Sequence, residues 1–150
     1  MRQADISGSL YKIWTVKRRQ SRGGAASLAS MSTSTPPARI VSLRDSAPAP
    51  ITSDGAQGTS GQPLLDRADG NGDLDLRVVT IRPGGLSADH AHAWVQANLV
   101  LSGSGTVAIG DEVYAVGPDD FVYVPPNVRH VFSNTGAGDL RLLSVLGPRH

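Results

Sequence analysis

From Leu74 onward, apolar runs of four to nine residues alternate with Gly, Pro, Asn and Asp, and none repeats at the period of an amphipathic helix. LDLRVVTIR (Leu74 to Arg82) stops at PGG, and QANLVL (Gln96 to Leu101) stops at SGSG. TVAIG passes through Gly110-Asp111 into EVYAV, and FVYV ends at Pro125-Pro126-Asn127. VRHVFSN and LRLLSVL close the chain. Short runs rich in Val, Ile and aromatics, bounded by turn formers, read as strands, and Gly-Asp between two of them reads as a hairpin. About seven such strands at this spacing predict an all-β fold, an antiparallel sandwich or small barrel.

The 150 residues, 39% of them hydrophobic, suffice for one core. A net charge of +1 excludes a general polyanion binder, and the absence of cysteine excludes disulfides, thiolate metal sites and a thiol nucleophile. No apolar run approaches the roughly 18 residues of a membrane span, so no membrane partner is expected and a cytoplasmic location is. Charge is unevenly placed. Arg2, Lys12, Lys17, Arg18, Arg19, Arg22 and Arg39 face the single acid Asp5, and beyond Gln20 the segment is rich in Ser, Gly and Ala. That start is similar to an organelle transit peptide; the plainer reading is a disordered tail, or an upstream start with Met31 as the alternative beginning. No groove-reading motif accompanies the basic residues, so no nucleic acid partner is expected. Residues 32–61 are dominated by Ser, Thr, Pro, Ala and Gly, which predicts a tail over 1–61 with one short strand at 38–43 and a folded domain over 62–150.

Two motifs are set aside. DGNGDLD (Asp69 to Asp75) begins like a calcium loop, but Leu74 stands where an EF-hand needs glycine and Thr80 where it needs a bidentate Glu. Gly103-Ser104-Gly105 lies between strands and not before a helix, so it is expected to be a hairpin loop and not a phosphate cradle.

HAHAWVQ (His90 to Gln96) holds two of the four histidines. On a strand, residues two apart share a face, which would aim His90 and His92 to one side, about 7 Å apart along the chain. Gln96 has the same parity, and His130 lies in a later run. If the strands adjoin, three imidazole nitrogens and one amide oxygen could surround a cation; alternatively each histidine is an ordinary surface or core residue.

Order and spacing favour the first reading. Gly84, His90, His92, Gln96 and Gly103 fit the first motif of the cupin superfamily, G-x5-H-x-H-x3,4-E-x6-G, with Gln in place of the acid. Pro125, Asn127, His130 and Asn134 fit the second, G-x5-P-x-G-x2-H-x3-N, with Asp119 and Asn127 in place of its glycines. Over residues 62–148 the chain therefore resembles a cupin, which implies an antiparallel double-stranded β-helix, or jelly-roll barrel. The resemblance also implies a divalent metal on His90, His92, Gln96 and His130, Mn or Fe first, with Ni, Co or Zn as alternatives. A small-molecule substrate and a homodimer are further implied. Small branches of the family place histidine at the Gln96 position, and some sugar isomerases use glutamine there.

A carboxamide leaves the site its full formal charge of two, which favours anionic chelating oxygens, and it cannot serve as a base. The expected chemistry is a dioxygenase, or an isomerase, lyase or cyclase; a barrel binding a ligand or metal without turnover is the alternative. Arg82, Tyr123 and Asn98 are the candidate catalytic groups. Trp94 and Phe132 are expected to pack, Tyr114 to sit on the sheet, and His150 to play no part.

Overall fold

The computed structural model describes residues 38–66, 69 and 74–148. The basic start of the expected tail, most of the DGNGDLD turn, and His150 lie outside the described residues. Among the described residues there are nine strands: β1 (Ala49–Ile51), β2 (Gln57–Leu65), β3 (Asp75–Leu86), β4 (Gln96–Ser102), β5 (Gly105–Ile109), β6 (Glu112–Val116), β7 (Phe121–Val124), β8 (His130–Ser133) and β9 (Leu140–Leu146). All pairings are antiparallel, in the order β6-β5-β8-β3-β9-β4-β7, with β2 also on β3 and β1 on β2. The described residues contain no α-helix, and none is long and apolar enough to cross a membrane.

The sheet curls because β3 serves two neighbourhoods. Residues Asp75 to Ile81 pair with β9, whereas Leu86 pairs with Ser133 of β8. Between them lies Pro83-Gly84-Gly85, where Gly84 has φ 73° and a side chain on Gly85 would come within 2.6 Å of the Gln57 carbonyl oxygen. The sequence break at PGG is thus a bend within one strand and not its end.

Strict alternation in β4 and β9 sets the interior. Leu140, Leu142, Ser144 and Leu146 of β9 are buried, as are Gln96, Asn98 and Val100 of β4. Ile81, Val100, Val107, Val122, Val124, Phe132, Leu140 and Leu142 form one apolar cluster, each such side chain contributing about 1.5–3 kcal/mol on burial. Toward Gln96 the inward positions turn polar, and a cavity opens there.

Three expectations change. Residues 38–43 are not a strand: Asp45 N–H donates to the Ser42 carbonyl at 3.0 Å, forming a turn, and Ile40 is 91% exposed with no strand beside it. Instead β1 and β2 form within the stretch read as a tail, so the barrel begins before residue 62. The signal was Asp54-Gly55, whose φ values of 50° and 77° and the 3.0 Å bond from Ala56 N–H to the Ser53 carbonyl make a type I′ turn. Finally, Gly103-Ser104-Gly105 is a crossover, because β4 and β5 do not pair with each other. A side chain on Gly105 would collide with the Ser133 carbonyl, so the glycine permits the close passage. The two turn substitutions behave as glycines would: Asp119 and Asn127 take φ of 69° and 62°.

Candidate metal centre

His90 and His92 stand in the connection from β3 to β4 and not in a regular strand; His90 makes an isolated bridge with His130. The bridge holds the motifs together: His130 N–H donates to the His90 carbonyl at 2.9 Å, and Asn127 N–H to the His92 carbonyl at 2.7 Å. Outside it, Arg129 grips Asp89 with two hydrogen bonds, of 2.8 and 2.5 Å. The Asp89 N–H in turn donates to the Asp54 carbonyl at 2.9 Å, which fixes the β1–β2 turn over the site.

The three rings converge, with centroids 4.9–5.3 Å apart, and one nitrogen of each lies within 4.8 Å of the others. These three side chains can coordinate a metal ion. Nδ1 of His92 lies 2.7 Å from the Trp94 carbonyl and Nδ1 of His130 3.0 Å from the Val128 carbonyl. A carbonyl only accepts, so each Nδ1 carries the proton and each Nε2 presents a lone pair. Both Nε2 atoms face Gln96 Oε1, at 2.9 and 3.2 Å. Gln96 keeps its oxygen there because its Nε2 donates to Asn98 Oδ1 at 3.0 Å. With the rings in that tautomer, the two Nε2 atoms and Gln96 Oε1 turn lone pairs toward one another, an arrangement a cation fits. Turning both amides over would satisfy the rings without a cation, so the orientation present is the metal-ready one.

Burial, reinforced by the neighbouring histidines, holds the imidazoles of His90 and His130 below their ordinary pKa, in the neutral form that ligates. His92 stacks on Trp94 with centroids 4.7 Å apart and planes 2° from parallel. Trp94 therefore both packs and orients a candidate ligand.

The cavity above the cluster measures about 180 Å³. A cavity of ~150 Å³ accommodates benzene, so this one suits a ligand of roughly six to ten non-hydrogen atoms. Of the expected site residues, His90, His92, Gln96, His130, Asn98, Trp94 and Phe132 line it. Arg82 does not: Ile81 points inward, so its neighbour points out, and Arg82 is exposed. Tyr123 is likewise turned out between inward Val122 and Val124, at 53% exposure, and Tyr114 is also exposed. Sequence reasoning missed Asp54, Thr59, Arg77 and Ser144, which also line the cavity. The Asp-Gly turn signal would have placed Asp54 on a hairpin.

The fold and this histidine arrangement define a cupin, and comparison agrees. The Cupin_2 family, described as Cupin domain, matches residues 77–146. A cupin 2 conserved barrel domain protein from Rhodopseudomonas palustris is 30% identical over 69% of this chain and 70% of its own, with a TM-score of 0.59. The chain belongs to the cupin superfamily. The polyketide cyclase RemF from Streptomyces resistomycificus is 26% identical, with a TM-score of 0.67 over 73% of this chain and 78% of its own. Mannose-1-phosphate guanylyltransferase RfbM of Salmonella typhimurium is 31% identical over 71 residues, 47% of this chain and 15% of that enzyme. The chain thus spans a small part of that curated relative.

Proposed function

We propose that this chain is a metal-dependent enzyme in which His90, His92, His130 and Gln96 hold one divalent ion, manganese or iron, for work on a small oxygen-rich metabolite such as a keto, enol or hydroxy acid. The observation that carries this reading is the convergence of the His92 and His130 Nε2 atoms on Gln96 Oε1 inside the cavity, with each Nδ1 on a backbone carbonyl. When bound, such an ion supplies Lewis acidity toward a carbonyl oxygen.

The reaction class we favour is non-oxidative: enolisation leading to isomerisation, elimination or cyclisation. Its support is the likeness to RemF, a polyketide cyclase, at 26% identity. Gln96, being an amide, accepts no proton, so another group must do so. Asp54 is the one carboxylate lining the cavity among the described residues, and its turn is anchored to the loop carrying His90. Asp54 is the proton acceptor in this reading. His92 and His130 are held in ligating orientation by the carbonyls of Trp94 and Val128, and Phe132 and Leu142 keep the inner wall dry.

Pairing of two chains is part of the proposal, supported by the outward apolar row of Leu99, Phe121 and Tyr123 on β4 and β7; light scattering tests it. For the reaction, protein purified without added metal is analysed for its elements and offered small keto acids in deuterated water. Manganese or iron with deuterium entering beside the carbonyl supports the proposal. Substrate-dependent oxygen uptake would instead assign a dioxygenase, and binding without any product a sensor or carrier.

A further inference from the structure

One row of inward side chains is chemically out of place. Arg77 of β3 pairs with Ser144 of β9, and Ser144 pairs with Asn98 of β4, so the three stand side by side across the sheet. With strands about 4.8 Å apart, Arg77 and Asn98 are anchored roughly 10 Å from each other with Ser144 midway. All three line the cavity, and Ser144 and Asn98 are 2% and 1% exposed. The next row is Val79, Leu142 and Val100, wholly apolar.

Burying an amide and a hydroxyl amid such neighbours is unfavourable unless their hydrogen bonds are made. Asn98 makes one of them: its oxygen accepts from Gln96 and thereby orients that residue toward the histidines. Its Nδ2, fully buried, has no partner among the described residues. The donor faces a cavity whose wall two strands away carries a guanidinium.

We infer that Arg77, Ser144 and Asn98 form a carboxylate-binding subsite beside the metal centre, selecting small acids with a second oxygen next to the carboxylate, that is 2-oxo or 2-hydroxy acids. The inference rests on the metal reading above and deepens it. A guanidinium, a hydroxyl and an amide N–H₂ can each donate a hydrogen bond, which is what a carboxylate needs. The carboxylate lies along the row, and the adjacent oxygen reaches toward the histidine cluster, because Asn98 is a member of the row and is hydrogen-bonded to Gln96, which faces His92 and His130. The small cavity limits the acid to a short chain.

The test compares pyruvate with methyl pyruvate, whose ester removes the carboxylate charge, by calorimetry on the Mn(II)-loaded full chain with manganese content measured for every protein. Pyruvate is expected to bind at least about tenfold more tightly than the ester, as a charge-assisted contact implies. Arg77→Met should weaken pyruvate by about tenfold or more and leave the ester within about twofold. Ser144→Ala, a smaller change that decides the matter should Arg77→Met not fold, should weaken pyruvate by about threefold. Pyruvate binding no tighter than the ester, or insensitive to the substitutions that fold, overturns the subsite. If the unaltered chain retains no manganese, the metal reading falls instead. Pyruvate binding to that metal-free protein, with or without dependence on Arg77, then decides the subsite by itself.

Discussion

Replacing Gln96 by glutamate changes one atom group and reverses two properties of the site. Gln96 Oε1 sits 2.9 and 3.2 Å from the ring nitrogens of His92 and His130, so a carboxylate there places a unit negative charge in the middle of the cluster. For a bound anion about 4 Å away, the added repulsion is ~1 kcal/mol at the dielectric of water and ~4 kcal/mol at an effective dielectric of 20. Gln96 is 9% exposed but borders an open cavity, so an intermediate of about 2 kcal/mol applies, or roughly 30-fold in affinity. A second effect adds to it. Glutamate has no N–H to give Asn98, so Asn98 turns its amide to donate to the new carboxylate and withdraws Nδ2 from the cavity. The same charge attracts the cation. Gln96→Glu is therefore expected to bind Mn(II) at least about tenfold more tightly in competition with a chelator, yet to bind pyruvate about 30-fold more weakly by calorimetry. Pyruvate affinity that holds steady or improves while the metal tightens would refute the charge argument.

Further expectations follow from other parts of the molecule. Because His90 and His130 are held below the ordinary imidazole value of 6.5, the unfolded metal-free chain binds more protons than the native one in mildly acidic solution. Their contribution to stability is present above pH 6.5 and is lost as pH falls through the lowered native values; urea melts across this range check it, and bound Mn(II) should move the loss to lower pH. Gly105→Ala, whose new methyl collides with the Ser133 carbonyl, should cost about 3 kcal/mol or more, read as a lowered denaturation midpoint. Arg82→Ala and Tyr123→Phe, both on the outer surface, should leave manganese content and pyruvate affinity within about twofold.

The histidine cluster was legible because the side chains that make it are rare and their spacing is kept: His90, His92, Gln96 and His130 meet as read. Parity along a strand was the wrong reason for part of it, since His90 and His92 sit in a connection whose shape comes from the bridge to His130. The strands from β5 to β9 were visible as apolar runs between turn formers. What was hidden has physical causes. In β2 the exposed residues are Gln57, Gly58 and Pro63, and its hydrogen bonds come from β1 and β3, so composition alone resembled a tail. Parity in β3 and β9 could not be read because Val78 and Val79, and Leu142 and Leu143, are apolar on both faces. That ambiguity concealed Arg77 and Ser144 and put Arg82 forward in their place.

The central claim is that three imidazoles and one carboxamide hold a single divalent ion, and metal stoichiometry tests it most directly. Elemental analysis of the unaltered chain and of the His92→Ala, His130→Ala double variant, each confirmed folded by circular dichroism, should give one divalent ion per chain and none, respectively. An equal ion content in the two proteins would contradict the account.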